Sequence, residues 1–112
     1  MTKYRKKVKP AVLSGPALMR RIRECVDADR LRFTDHALKE MEEDDITFSD
    51  AKRVAKTGWH NAVKDTLDMK RCSWKHAIDG KDADGRDLRL IIALDPSSGA
   101  VVVTAFRLNP RK

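Results

Sequence analysis

The apolar positions change rhythm near residue 58. Before it they recur every three or four residues, as on a helix; after it they alternate or run together, as in strands. Leu18, Met19, Ile22, Cys25 and Val26 form one stripe, with Arg20, Arg21 and Arg23 off it. Ser14 or Gly15 is placed to cap this helix, and Pro16 suits its first position. "LRF" at 31–33 reads as a short strand. Thr34 or Asp35 then caps a second helix to about Glu43, expected to bury Ala37, Leu38 and Met41. Its closing "EEDD" sets negative charge at a helix C-terminus, which keeps it short. Thr47 opens a third helix with Asp50 at the capping-box position; Phe48, Ala51, Val54 and Ala55 are expected to face inward, and Gly58 stops it.

From Trp59 onward, "WHNAVKD" (59–65) and "RCSWKHAID" (71–79) can alternate faces. "RDLRLIIALD" (86–95) and "AVVVTAFRLN" (100–109) are the strongest strands, and "GKDADG" (80–85) and "DPSSG" (95–99) are turns by composition. Strands joined by short loops predict an antiparallel meander. The expected fold is therefore α+β, with N-terminal helices packed on one face of a 3–4-stranded antiparallel sheet. Residues 1–15 read as a basic arm, 16–109 as a single domain and 110–112 as a basic tail.

A chain of 112 residues, 41% hydrophobic, suits one small-cored domain. No run approaches the roughly 18 apolar residues of a membrane span. The basic N-terminus leads into no apolar signal core, so a soluble cytoplasmic protein is expected. Cys25 and Cys72 are isolated and read as buried free thiols, without metal-ligand spacing. The net charge of +7 is concentrated at the ends: Lys3, Arg5, Lys6, Lys7 and Lys9 at one, Arg107, Arg111 and Lys112 at the other. With these set aside the rest is close to neutral. Such arms can grip phosphates without reading sequence, or serve as solubilising tails.

Alternation in strand 86–95 assigns Leu88, Leu90, Ile92 and Leu94 to the core and Arg89 to the open face. In 71–79 it assigns Cys72, Trp74, His76 and Ile78 to the core, with Arg71 and Lys75 outward. In the last strand alternation does not decide, and Arg107 is placed near the open face or the strand's exposed end. Arg71, Lys75, Arg89 and Arg107 would then share one face, able to stabilise charge on a phosphorane. Trp59 and Trp74 read as core residues, with base stacking as the alternative. His60 and His76 show no spacing logic and read as structural. His36 lies in a helix's first turn, where the dipole favours the neutral imidazole a general base needs, and Glu40 follows one turn later. From pattern alone the favoured reading is that His36 bonds locally and fixes the strand–helix junction.

"FTDHALKEM" (33–41), "DITFSDAKRVAKTG" (45–58), "LRLIIALD" and "VVVTAFR" resemble a widespread bacterial domain-of-unknown-function family with an F-[ST]-x-H-A-x-x-x-M start and a terminal V-V-V-x-T-x-[FWY]-R strand. In element order and size such domains resemble the RelE-like toxins, including MqsR. The resemblance implies a messenger-RNA endoribonuclease, neutralised by an antitoxin partner and cleaving by 2′-OH attack without metal or other cofactor. It would place function on His36 and Arg107, with Arg89 and Lys75 carried over by role. Arg71 and the arm residues Lys3, Arg5, Lys6, Lys7 and Lys9 would hold RNA. Glu40 and Asp44-Asp45 depart from the family pattern, which has Arg and Arg-Gly there. The acidic helix surface they create suits a basic partner better than bare RNA. The alternative is a non-catalytic protein- or nucleic-acid-binding module of the same fold.

Overall fold

The computed structural model describes residues 13–109. They form α1 (Gly15–Asp27), β1 (Leu31–Phe33), α2 (Asp35–Glu43), α3 (Phe48–Thr57), β2 (Trp59–His60), a 3-10 turn (Ala62–Lys64), β3 (Thr66–Asp68), β4 (Ser73–Lys81), β5 (Asp87–Asp95) and β6 (Gly99–Arg107). The sheet has six strands rather than three or four, in the order β1-β6-β5-β4-β2, with β3 also paired to β4. It is mixed: β4, β5 and β6 make the expected antiparallel meander, but β1 runs parallel to β6. β1 lies where "LRF" reads as a strand, whereas β2 and β3 follow from tertiary pairing with β4, because two or three residues in a polar stretch carry little pattern.

Local chemistry explains the helix ends. The Thr34 hydroxyl accepts the Ala37 N–H, and Thr47 and Asp50 form a reciprocal capping box. α1 and α2 end in the same way: Asp29 and Asp45 take the left-handed conformation, and the next N–H (Arg30, Ile46) returns to the carbonyl of Cys25 or Met41. Gly58 ends α3 where a Cβ would stand 2.5 Å from the Asp79 carbonyl oxygen, so only glycine lets the helix end this close to β4.

The three helices bury Leu18, Met19, Ile22 and Cys25, Ala37 and Met41, and Ala51, Val54 and Ala55 against one sheet face carrying Ile78, Leu88, Leu90, Ile92, Ala100, Val102 and Ala105. Two expected core residues stay out. Leu38 is exposed, and Phe48 is 55% exposed, with its ring edge-on to Phe33.

In β6, Val103 is an extra residue: Ile91 faces Thr104 but Ile92 faces Val102. This bulge moves the inward set from Ala100 and Val102 to Ala105 and Arg107. It is why alternation could not choose a face, and it corrects Arg107: the side chain lies on the helix side, buried, not on the open face.

Beyond β1, the free edge of β6 is closed by α2. Glu40 accepts the Ala105 N–H and Asp44 accepts the Arg107 N–H, each at 3.1 Å. Four residues of helix rise about 6 Å and two residues of strand about 6.8 Å, so an i, i+4 acid pair matches an i, i+2 pair of strand donors. Asp44, from the run that looked unfavourable for the helix, thus joins Glu40 in satisfying a sheet edge.

Candidate functional site

The expected catalytic residues do not converge. His36 is largely exposed and touches Glu40 at 3.4 Å on α2, at the β6 edge. Arg107 donates to the Asp44 and Asp45 carbonyls at the end of α2 and to the Asp82 carboxylate at 2.9 Å. All three of its nitrogens are spent on structure. Burial opposes the charge on Asp82, but hydrogen bonds from the Arg86 N–H, Arg107 and the Asp84 N–H outweigh it and hold the carboxyl below its usual range.

Arg89 does face the open side, but it binds Asp79 through two bonds of 2.7 and 3.0 Å and sits 5.9 Å from the Phe106 ring centre. Burial again opposes the Asp79 charge; Arg89 and Asn61 outweigh it, and Arg89 is raised in turn, chiefly by the bond to Asp79. Lys75 shares this face but pairs across the sheet with Ala93, four positions along β5 from Arg89, about 13 Å away. It approaches Asp68 at 3.9 Å instead. Arg71 is a further correction: it precedes β4, in the turn after β3, and lines a cavity on the helix side. Lys3, Arg5, Lys6, Lys7 and Lys9 lie outside the described residues.

A different group is assembled. β2 and β3 pair with the same edge of β4, and the intervening 3-10 turn carries Asp65 into the gap between them. There Asp65 accepts the Ala77 N–H at 2.9 Å, doing the work of a missing strand partner. Its other oxygen bonds His60 Nε2 at 2.7 Å and His76 Nδ1 at 3.0 Å. The three side chains are nearly sealed from water, and the rings meet edge to face.

The proton positions follow from the partners. The Gly15 N–H donates to His60 Nδ1 at 2.9 Å, so Nδ1 accepts and Nε2 carries the hydrogen given to Asp65. A carboxylate only accepts, so His76 carries its hydrogen on Nδ1. Burial lowers the His76 pKa, opposed by the bond to Asp65 and its charge, and the ring is neutral near pH 7. Its Nε2 then holds a lone pair and has no partner among the described residues. That atom is also not sealed off: among the described side chains, only Trp74 Nε1 is both buried and unpartnered.

His76 lines a cavity of about 490 Å³ at the end of the sheet, between α1 and the turns joining β3 to β4 and β5 to β6. Leu13, Trp74, Leu94 and Pro96 supply apolar wall; Arg21, Arg71, Cys72, Ser73 and Asp95 complete the lining. The Ser97 N–H and hydroxyl, with Ser98, hold the Asp95 carboxyl at about 2, so it is ionised. Of the two tryptophans, Trp74 is half-buried here and Trp59 is 53% exposed on the edge strand, against the expected core placement.

His60, Asp65 and His76 stand close enough to share a metal ion. The surrounding bonds run the wrong way. A ligating imidazole normally donates from its other nitrogen, whereas that nitrogen of His60 faces a donor, Gly15 N–H. The trio fits a carboxylate orienting an imidazole better than a metal centre. Sequence reading missed it because the three residues are singletons; the one available hint was an acid between two histidines in a stretch too polar for a plain strand.

Helices on one face of a mixed open sheet, with a carboxylate-oriented histidine at the sheet's end, define an α+β domain with a cavity of mixed apolar and charged lining. The chain belongs to the family described as Domain of unknown function (DUF4258), matching it over residues 33–107, more than half its length. His60, Asp65, Arg71, His76 and Asp95 fall within that span; Arg21 does not. No match was found among curated proteins or among solved structures. Among the described residues, no helix is long and apolar enough to cross a membrane.

Proposed function

We propose that the protein is a metal-independent endoribonuclease whose centre is the cavity at His76, not the sheet face or His36. The observation that carries this reading is a neutral imidazole, oriented by Asp65 and with Nε2 unpartnered among the described residues, in the wall of a cavity also lined by Arg21 and Arg71. RNA cleavage of this kind needs a base for the 2′-hydroxyl and positive charge for the phosphorane. His76 Nε2 takes the 2′-proton. The 2′-oxygen attacks the adjacent phosphorus, the P–O5′ bond breaks, and the leaving oxygen takes a proton from water. The products are a 2′,3′-cyclic phosphate and a 5′-hydroxyl. Arg21 and Arg71 compensate the charge gained by the non-bridging oxygens. The net charge of +7 favours a polyanionic substrate. In this reading the chain acts in the cytoplasm as the toxin of a toxin–antitoxin pair, as the resemblance to RelE-like proteins implies.

The test is cleavage of a long messenger RNA in EDTA. Wild type cuts it; His76→Asn and Asp65→Asn, checked for folding by circular dichroism, lose about a hundredfold or more. Equal activity of wild type and His76→Asn sinks the proposal. No cleavage by any form makes the domain a binding module.

A further inference from the structure

We propose that the same cavity selects a guanine base, with Asp95 accepting from its Watson–Crick edge and Trp74 against its plane. The inference rests on the ribonuclease reading for the polymer; the base preference can be measured alone.

The wall chemistry leads to this ligand. A cavity of about 490 Å³ lies within the roughly 300–1,000 Å³ of small-molecule sites and is roomy enough for a base and its sugar. One aromatic side chain and the apolar Leu13, Leu94 and Pro96 supply the surface a base needs for stacking. The polar groups then discriminate. An ionised carboxylate accepts and cannot donate. Guanine is the RNA base with two neighbouring donors on its pairing edge, N1–H and N2–H. Adenine and cytosine set an acceptor beside their amino group, and uracil flanks its single N–H with two carbonyls, so each turns an acceptor toward the carboxylate. The two bonds from Ser97 both fall on Oδ1 of Asp95 and fix the carboxylate's orientation.

The other walls offer donors. Arg21 and Arg71 line the cavity, and arginine pairs well with guanine O6 and N7 or with phosphate. One carboxylate opposite several donors is the complement of a guanine's two edges. A plain anion site would not include Asp95.

The experiment is equilibrium titration of the full chain with 5′-GMP, AMP, CMP, UMP and IMP, read by Trp74 fluorescence in a Trp59→Phe background. GMP is expected to bind about tenfold tighter than the other standard nucleotides, and IMP, which lacks the 2-amino group, to lose most of that advantage. Asp95→Asn should bring GMP down to the level of AMP, while Arg71→Ala weakens all of them. The comparison of GMP with IMP needs no variant at position 95, so it stands even if Asp95→Asn unfolds. Equal binding of GMP and IMP, preference for another base, or no saturable binding overturns the inference. RNA cleavage without guanine preference overturns it while leaving the nuclease in place. Selective GMP binding without cleavage supports it and removes the nuclease reading.

Discussion

The Asp65 carboxylate bonds the His76 ring at Nδ1, 3.0 Å away, and one of its two oxygens serves both histidines. Asp65 thus has two tasks. It replaces a strand partner for Ala77, and it sets which nitrogen of His76 is free.

Removing this carboxylate should damage stability and activity together. In Asp65→Ala three buried donors lose their acceptor at once: the Ala77 N–H, His60 Nε2 and His76 Nδ1. Each stranded donor costs about 1–3 kcal/mol, so a loss of roughly 3 kcal/mol or more is expected in urea denaturation. Asp65→Asn keeps the shape but can accept at only one end, and should lose activity at a smaller cost in stability.

Arg107→Ala is expected to be among the most destabilising single changes, by about 3–5 kcal/mol, because it leaves Asp82 charged and buried and frees two carbonyls at the end of α2. Equilibrium unfolding at pH 7 measures it. Arg107→Lys should recover only part, since one ammonium cannot reach three separated acceptors. In a folded background, the cleaved fraction per active molecule should be unchanged.

His36→Ala provides the converse. The ring is largely exposed and its only ion-pair contact among the described residues is Glu40, so stability should change by less than about 0.5 kcal/mol. RNA cleavage should persist. Loss of cleavage in a normally folded His36→Ala protein would return the active centre to α2.

Acid should destabilise the fold in two steps, and the signs can be worked out. The folded-state pKa of His76 is depressed, so between its unfolded value, about 6.5, and the lower folded one the unfolded chain binds more protons. Its contribution is complete above the unfolded value and fades as pH falls through that window. Asp79 and Asp82 also have depressed folded pKa values. Their contribution is present above about 3.9 and is lost as pH falls further, through the folded values. Tm should therefore fall between pH 7.5 and 5.5, and again below pH 4. His76→Gln should remove the first fall and keep the second.

How legible this was varied by element. The three helices could be read from the stripe Leu18–Met19–Ile22–Cys25, the Thr34 and Thr47 caps and the stop at Gly58, because spacing and capping act within a few residues. The two faces of β5 were equally plain. β6 was not: one extra residue, Val103, reverses the faces midway, and only its neighbour β5 shows where.

The candidate site was the least legible part. His36 drew attention because it sits at a helix start with an acid one turn on, and that local relationship exists. His60, Asp65 and His76 offered no periodic signal, since they meet through an edge of β4 shared by two short strands. Likewise a guanidinium's sequence position did not reveal whether it would be spent on an internal acid, as Arg89 is on Asp79 and Arg107 on Asp82.

By itself, then, the sequence determined the helices, the long strands, the α+β class and the charge, all properties of neighbours along the chain. Only the tertiary structure decided β2 and β3, the parallel pairing of β1, the face of Arg107 and the meeting of the two histidines over one carboxylate. Those depend on which strand edges and buried charges come together in space, where hydrogen bonds must be satisfied between residues far apart in sequence.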